Sequence, residues 1–226
     1  MRTGIYGALL NCLGEEYFMQ PEIQILIDYV EGKIDINEFR NCFERNLRLQ
    51  MILKEKFDFN YVAYKKYNNN LYCYLTENYD FKNINWDVVE TRYSLYIELC
   101  RWLDWFKIPY KKDYTKYIDD YDFLLDIQPS WLDISDDQGL FDKVISEIPN
   151  SLSKTKRIQL GKAKIKELFR YDKTYPRWVQ DPEWPIIDGV PLVFSHQSKE
   201  KKDDERVYYY FYHPKTNKQV VVEQSY

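Results

Sequence analysis

The sequence has few of the residues from which common catalytic and metal sites are built. Its 226 residues include only two histidines, His196 and His213, and four cysteines without a Cys-x-x-Cys pair. A zinc site needs three or four closely spaced nitrogen, sulfur or carboxylate ligands, and neither histidine has such neighbours at ligand spacing. The seven glycines are scattered and form no G-x-x-x-x-G-K or G-x-G-x-x-G phosphate loop. We therefore predict a protein that is not an enzyme and holds no cofactor or metal.

Long hydrophobic runs are also missing, and this bears on where the protein works. No stretch approaches the ~18 apolar residues of a membrane-spanning helix. A short apolar run near the start is closed by Glu15 and Glu16, without the usual cleavage site of a signal peptide. The cysteines lie in apolar or aromatic contexts, which is typical of free thiols in a reducing compartment. These features predict a cytoplasmic protein that does not bind a membrane.

Aromatic residues, by contrast, are abundant: 22 Tyr, 12 Phe and 6 Trp make up 18% of the chain. Tyr and Trp combine a large apolar area with a polar group, so they suit both half-buried cores and binding surfaces. Abundant Tyr, Asn, Lys and Ile are also typical of an AT-rich genome. Both explanations stay open for most of the tyrosines.

Charge is distributed unevenly along the chain. The net charge of −4 argues against direct binding to nucleic acid. Residues 113–147 hold ten acidic and two basic residues, whereas residues 154–173 hold eight basic and two acidic ones. The two stretches can neutralise each other as solvated faces, or the acidic stretch can meet a basic partner.

Apolar spacing and helix-ending residues predict a mainly helical portion over residues 1–150. Its first two helices form an antiparallel hairpin, in which Asp35 caps the second helix and Glu38 follows as in a capping box. The apolar stripe of this second helix is predicted to be Phe39, Phe43, Leu47 and Met51. The first helix of the hairpin is predicted over residues 21–31, and further helices are predicted over residues 86–106, 114–127, 140–148 and about 154–169.

The amino-acid composition changes near Tyr175, where four prolines within sixteen residues exclude a helix. Apolar segments at residues 192–196, 206–212 and 219–223 predict strands, the last two joined as a hairpin. The charged residues 198–205 are predicted to form an exposed loop. Alternation along the middle strand places Tyr209 and Phe211 on one face and three other tyrosines on the opposite face.

These elements together predict an α+β fold, with a mainly helical N-terminal portion and a small antiparallel β-sheet at the C-terminus. Residues 151–226 contain a connecting helix, a segment rich in Pro and Trp, and the sheet, and we expect them to pack as one unit. We call residues 175–185 the Pro/Trp segment. It either docks on its own chain, which we favour, or presents Trp and Arg side chains to a partner.

Two kinds of enzyme site can be tested against the residue types alone. Ser195 and His196 are adjacent, and on a regular strand their side chains point to opposite faces, so no nucleophile is expected beside the histidine. Carboxylates are abundant enough for hydrolysis, but nothing singles out two of them. A hydrolase or nuclease that uses scattered carboxylates therefore remains an alternative, as does a generic interaction scaffold.

The C-terminal part of the chain contains residues that resemble those of a known class of proteins. The run Tyr175-Pro-Arg-Trp-Val-Gln-Asp-Pro-Glu-Trp-Pro185 is followed by Gly189-Val-Pro-Leu-Val-Phe194, and later by Tyr210-Phe-Tyr212 and Val221-Val-Glu-Gln224. With these residues the chain resembles small bacterial immunity proteins encoded beside polymorphic or contact-dependent growth-inhibition toxins. The residues Ile27–Asp35 also look like the opening of such proteins.

The resemblance implies a cytoplasmic protein that binds a cognate toxin domain tightly and blocks it without chemistry. Many such toxins are nucleases with basic clefts, to which an acidic surface would be steered. The oligomeric state stays open. The predicted partner-binding residues are Asp119, Asp120, Asp122, Asp133, Asp136, Asp137, Tyr117, Tyr121 and Trp131, with Arg177, Trp178 and Trp184 from the Pro/Trp segment.

Overall fold

The computed structural model describes residues 20–55, 70–78, 87–133, 139–200 and 203–226. It confirms the α+β fold, in which helices come first along the chain and a small antiparallel sheet follows. The chain divides into two compact units, Met1–Asp119 and Asp120–Tyr226.

Helices build the first unit. Asp35 Oδ1 accepts a hydrogen bond from the Glu38 amide at 2.8 Å, as the predicted cap requires. The core of this unit contains Tyr29, Leu99 and Trp102, all with almost no exposed surface. The helices are α1 (Pro21–Val30), α2 (Ile36–Arg45), α3 (Leu47–Ile52), α4 (Leu71–Asn78), α5 (Val89–Trp105) and α6 (Lys116–Ile127), which contains the division between the units.

The apolar stripe predicted for one long second helix is wrong in its C-terminal half. The helix breaks at Asn46, whose backbone is extended and whose Oδ1 accepts hydrogen bonds from the Arg48 and Leu49 amides at 3.0 and 3.1 Å. The break changes the helical phase, so Leu49 and Leu53 are buried in place of the predicted pair. Leu47 and Met51 are instead 73% and 66% exposed.

The second unit combines helices with two small sheets. Besides the end of α6, its elements are α7 (Leu140–Ser146), α8 (Lys154–Leu168), β1 (Ile186–Ile187), β2 (Val190–Pro191), β3 (Val193–Glu200), β4 (Asp203–Tyr212) and β5 (Gln219–Ser225). Strands β1 and β2 form an antiparallel pair, and β3, β4 and β5 form an antiparallel sheet in that order.

The boundary between the two compact units lies between Asp119 and Asp120, within α6. Helices α7 and α8 belong to the second unit because their apolar sides pack there. Phe141 of α7 stacks on Phe169, with 5.9 Å between ring centroids. Gly161 of α8 lies directly against Ile127 of α6.

The sheet faces of the second unit follow the predicted alternation. Tyr209 and Phe211 are buried on one face. The exposed loop predicted over residues 198–205 is wrong, because β3 continues to Glu200 and β4 already begins at Asp203. Residues of this region belong to the backbone ladder between β3 and β4. Pairing with the partner strand decides the length of a strand, and the number of charged residues in it does not reveal that pairing.

Candidate protein-binding surfaces

The solvent-facing side of α6 carries acidic groups and one leucine. Asp119 and Asp122 are exposed, and Leu125 is 50% exposed. Positions three residues apart are neighbours on a helix surface, so the three side chains follow one line. The opposite side of α6 is held by Phe123 and Ile127, which are buried. We call Asp119, Asp122 and Leu125 the acidic strip.

Part of the acidic stretch, residues 113–147, is neutralised by the basic stretch, residues 154–173. This was one of the two arrangements that the sequence predicted. Asp126 pairs with Lys154 of α8, with Oδ2 and Nζ 2.9 Å apart. Glu147 and Lys164 form a second pair. Asp119 accepts a hydrogen bond from the Thr115 hydroxyl at 2.7 Å. Within the described ranges, neither strip carboxylate forms an ion pair, although Lys154, the partner of Asp126, also interacts electrostatically with Asp122.

Three aromatic residues expected at the binding surface are buried. Tyr117 stacks on Tyr29 with ring centroids 5.3 Å apart. Trp131 and Trp184 have ring centroids 5.3 Å apart, and Trp184 Nε1 donates to the Leu192 carbonyl at 2.8 Å. Because these rings build the cores of their units, a partner does not reach them in this conformation.

The remaining predicted positions narrow the surface further. Asp120, Tyr121 and Asp133 are half-buried and interact with other residues of the chain. Asp136 and Asp137 lie outside the described residues. Of the predicted residues between positions 117 and 137 that the structure describes, Asp119 and Asp122 are therefore the two that lie in solvent. Leu125, the third member of the acidic strip, was not predicted.

The Pro/Trp segment docks on the sheet of its own unit, the first of the two predicted arrangements. Trp178 packs 4.4 Å from the Tyr209 ring and donates Nε1–H to the Trp131 carbonyl at 2.9 Å. The buried Gln224 accepts hydrogen bonds from two segment amides, both at 3.2 Å, and donates to a segment carbonyl at 2.9 Å. The side chain of Arg177 is exposed.

A β-bulge brings Ser195 and His196 together, contrary to the prediction that they face opposite ways. The register of β3 against β4 shifts between Phe194 and His196. Ser195 Oγ then lies 3.2 Å from His196 Nδ1, and the imidazole stacks on Tyr210 with 4.5 Å between centroids. In the described part of the chain no carboxylate contacts this histidine. A nucleophile and its base need a contact of this kind.

The second face of the middle strand is partly covered. Tyr208, Tyr210 and Tyr212 are half-buried on this face. Tyr210 is stacked against His196, and the Tyr212 hydroxyl donates to Asp172 at 2.8 Å. These contacts occupy the tyrosines within the unit, so this face is not an open aromatic patch.

A groove that the sequence did not predict lies in the first unit. Its volume is about 560 Å³, and it is lined by α1, by α2 and by the break between α2 and α3. Ile25 and Leu47 supply apolar surface, while Arg45 and Arg48 are exposed at its edge. Neither arginine makes an ion pair with the residues that the structure describes. We call this region, together with the neighbouring Met51, the kink groove.

The described ranges contain no group of three or more His, Cys, Asp or Glu side chains placed to hold a metal ion. None of their helices is both long and apolar enough to span a bilayer. Cys42, Cys73 and Cys100 are unpaired and half-buried, and Cys12 lies outside these ranges.

Comparison with known proteins gives no relative from which a function can be transferred. No family model matches the chain, and neither a curated protein nor a solved structure matches it. The function is therefore inferred from the surfaces themselves.

Proposed function

We propose that the protein is a cytoplasmic immunity protein that binds a cognate toxin domain and blocks it without catalysis. The observation that carries this proposal is the acidic strip, where two exposed carboxylates and an exposed leucine share one face of a helix. The resemblance of the C-terminal residues to immunity proteins supports the same function.

In this mechanism charge brings the partners together and apolar burial holds them. Asp119 and Asp122 attract a basic cleft over roughly the ~10 Å Debye length at 0.1 M salt. Such steering raises the association rate more than it raises the final affinity. Leu125 then loses its exposed surface to the partner, which stabilises the complex at about 25 cal/mol for each Å² buried. Covering the cleft stops the toxin without any chemical step.

Co-expression tests the proposal as a whole. The chain is produced with the C-terminal domain of the protein encoded immediately upstream, and cell survival and complex formation are measured together. We expect survival together with a stable one-to-one complex. Survival without a complex would replace binding with an enzymatic mode of protection, and neither survival nor a complex would overturn the proposal.

Substitutions in the acidic strip test which surface acts. We expect Asp119→Asn with Asp122→Asn to slow association with the toxin domain by about tenfold at low salt, because steering depends on these charges. Leu125→Ala should instead speed dissociation, since most interface changes act on that rate. The matched control is Glu167→Gln with Glu183→Gln, which removes two exposed charges elsewhere. Equal association rates for both double variants would exclude the strip.

A hydrolase is the second candidate function, and the contact between Ser195 Oγ and His196 Nδ1 is the observation in its favour. If cells survive without a complex, we expect Ser195→Ala to abolish that survival only if this pair acts as nucleophile and base. Survival retained in Ser195→Ala would remove this candidate.

A further inference from the structure

The kink groove and the acidic strip are complementary in both charge and apolarity. The groove region exposes Leu47 and Met51 one turn apart, beside Arg45 and Arg48. The acidic Glu38 also lines the groove, so the two arginines leave it with a net positive charge. The strip has the opposite charge, with two aspartates next to one half-exposed leucine. Arginine and carboxylate groups form some of the strongest polar contacts in proteins because their planar groups can pair in two places at once.

We propose that the kink groove of one molecule receives the acidic strip of a second copy of this chain. A helix face that lies in an apolar groove is a common recognition mode, in which residues one turn apart act as anchors. Leu125 lies against Leu47 and Met51, while Asp119 and Asp122 face the two arginines. In this contact the three exposed apolar side chains leave water, and the two arginines gain carboxylate partners that they lack within the described part of one chain.

Every copy carries both surfaces, so the contact joins unlike surfaces of two copies into a dimer. The unused groove and strip of that dimer can each take a further copy. Each contact involves a short helix face and a groove of about 560 Å³. Interfaces of this small size belong to the weak, transient class. We therefore expect self-association at high micromolar concentration. We also expect it to weaken as the salt concentration is raised.

Self-association has a regulatory consequence that rests on the proposed function. The strip that would meet the toxin is the strip that a second copy covers. Toxin and second copy then compete, and the tighter partner releases the monomer from the dimer. The self-association itself does not depend on the toxin, so it can be tested and can fail separately.

Sedimentation velocity of the full chain without any toxin tests this inference. Between about 5 and about 500 µM in low salt, we expect the average sedimentation coefficient to rise from the monomer towards the dimer value. Raising the salt from about 50 to about 500 mM should weaken association by roughly tenfold or more, because exposed charge pairs are screened. A monomer at every concentration would overturn the proposal.

Charge reversal identifies the two surfaces. Arg45→Glu with Arg48→Glu should remain monomeric, and so should Asp119→Arg with Asp122→Arg. Mixing the two variants should restore association, because each then offers the charge that the other lacks. The matched control is Lys156→Glu with Lys162→Glu, an equal reversal at exposed positions of α8 that should associate like the wild type.

Two further results complete the test. Leu47→Ser with Met51→Ser should abolish association without any change of charge, and circular dichroism should show that every variant keeps its helical content. Association that survives either reversal, or a mixture that stays monomeric, would contradict the pairing. If the wild type is monomeric and a variant in the kink groove fails to bind the toxin domain, the groove is the toxin-binding surface instead.

Discussion

Gly161 sets how closely α8 approaches α6. A Cβ at this position would stand 2.6 Å from Cγ2 and 3.1 Å from Cδ1 of Ile127, nearer than such atoms normally come. In an exposed helix, replacing glycine with alanine gains about 1 kcal/mol. Here the overlap opposes that gain, because overpacking a core costs about 1–3 kcal/mol.

We therefore expect Gly161→Ala to lower the free energy of unfolding by about 1–2 kcal/mol in a urea titration. In an Ile127→Ala background the obstructing atoms are gone, and the same substitution should raise stability by up to about 1 kcal/mol. The double-mutant cycle isolates the coupling between the two positions. An equal cost in both backgrounds would place the strain elsewhere.

Glu31 links the end of α1 to the chain that leads into α6. Its Oε1 accepts a hydrogen bond from the Lys111 amide at 2.8 Å, and its Oε2 lies 2.7 Å from Lys33 Nζ. Desolvation raises the pKa of Glu31, but the bonds to Lys33 and to the Lys111 amide outweigh it. The pKa therefore lies below the ordinary value of 4.5.

The lowered pKa predicts how the stability contributed by Glu31 depends on pH. Because the folded pKa lies below the unfolded one, the carboxylate stabilises the fold above about pH 4.5 and loses this effect as the pH falls through the folded pKa. We expect Glu31→Gln to lower the urea midpoint at about pH 7 and to approach the wild type near about pH 3. A difference that stays constant with pH would show that charge is not its cause.

At the scale of secondary structure, Asn46 ends α2 and begins α3 within one residue. We expect Asn46→Ala to lower the free energy of unfolding by about 1 kcal/mol, because the two amides that it caps lose their acceptor. Asn46→Asp keeps an acceptor of the same reach and serves as the control. If alanine proved neutral in urea titrations, the break would have to be held by packing rather than by the cap.

Gln224 makes three of the hydrogen bonds that hold the Pro/Trp segment to the sheet. Replacing it with alanine removes three hydrogen bonds in a buried place, so we expect a loss of about 2–4 kcal/mol and a change in Trp178 fluorescence. Glu223→Ala, at the exposed neighbouring position, is the control. Similar losses for both variants would mean that the strand, and not these bonds, is responsible.

The success of sequence reasoning at this scale depended on whether the signal was local. The long helix α5 and the cap at Asp35 follow from spacing and residue type within a few positions. The break at Asn46 was hidden because an asparagine at one position does not interrupt a 3.6-residue pattern that continues on both sides. The length of β3 and its bulge at Ser195 depend on pairing with β4, which is not encoded in either strand alone.

The candidate surface was predictable in the same partial way. The excess of acidic residues is visible in the sequence, but the helical phase of α6 decides which carboxylates reach solvent. Trp131 and Trp184 were expected at a surface and lie in a core, because the same ring chemistry serves both places. The kink groove was missed because Leu47 and Met51 fit the pattern of core residues.

At the scale of the whole molecule, charge is expected to matter more for association than for stability. The pairs Lys154–Asp126 and Lys164–Glu147 join the basic and acidic stretches at exposed positions, where ion pairs contribute little. We expect Lys154→Ala to leave the urea midpoint unchanged within error. When the salt concentration is raised, the rate of toxin association should fall steeply, whereas the urea midpoint should change little. A midpoint as sensitive to salt as that rate would reverse this division of roles.

The break at Asn46 also affects how the protein can diverge. By turning Leu47 and Met51 away from the interior, it makes two positions available to selection for recognition without a penalty in folding. Descendants that differ only at these two codons can keep one scaffold and acquire different specificities. A randomised library at positions 47 and 51 should accordingly yield folded proteins at high frequency, whereas one at the buried positions 49 and 53 should not.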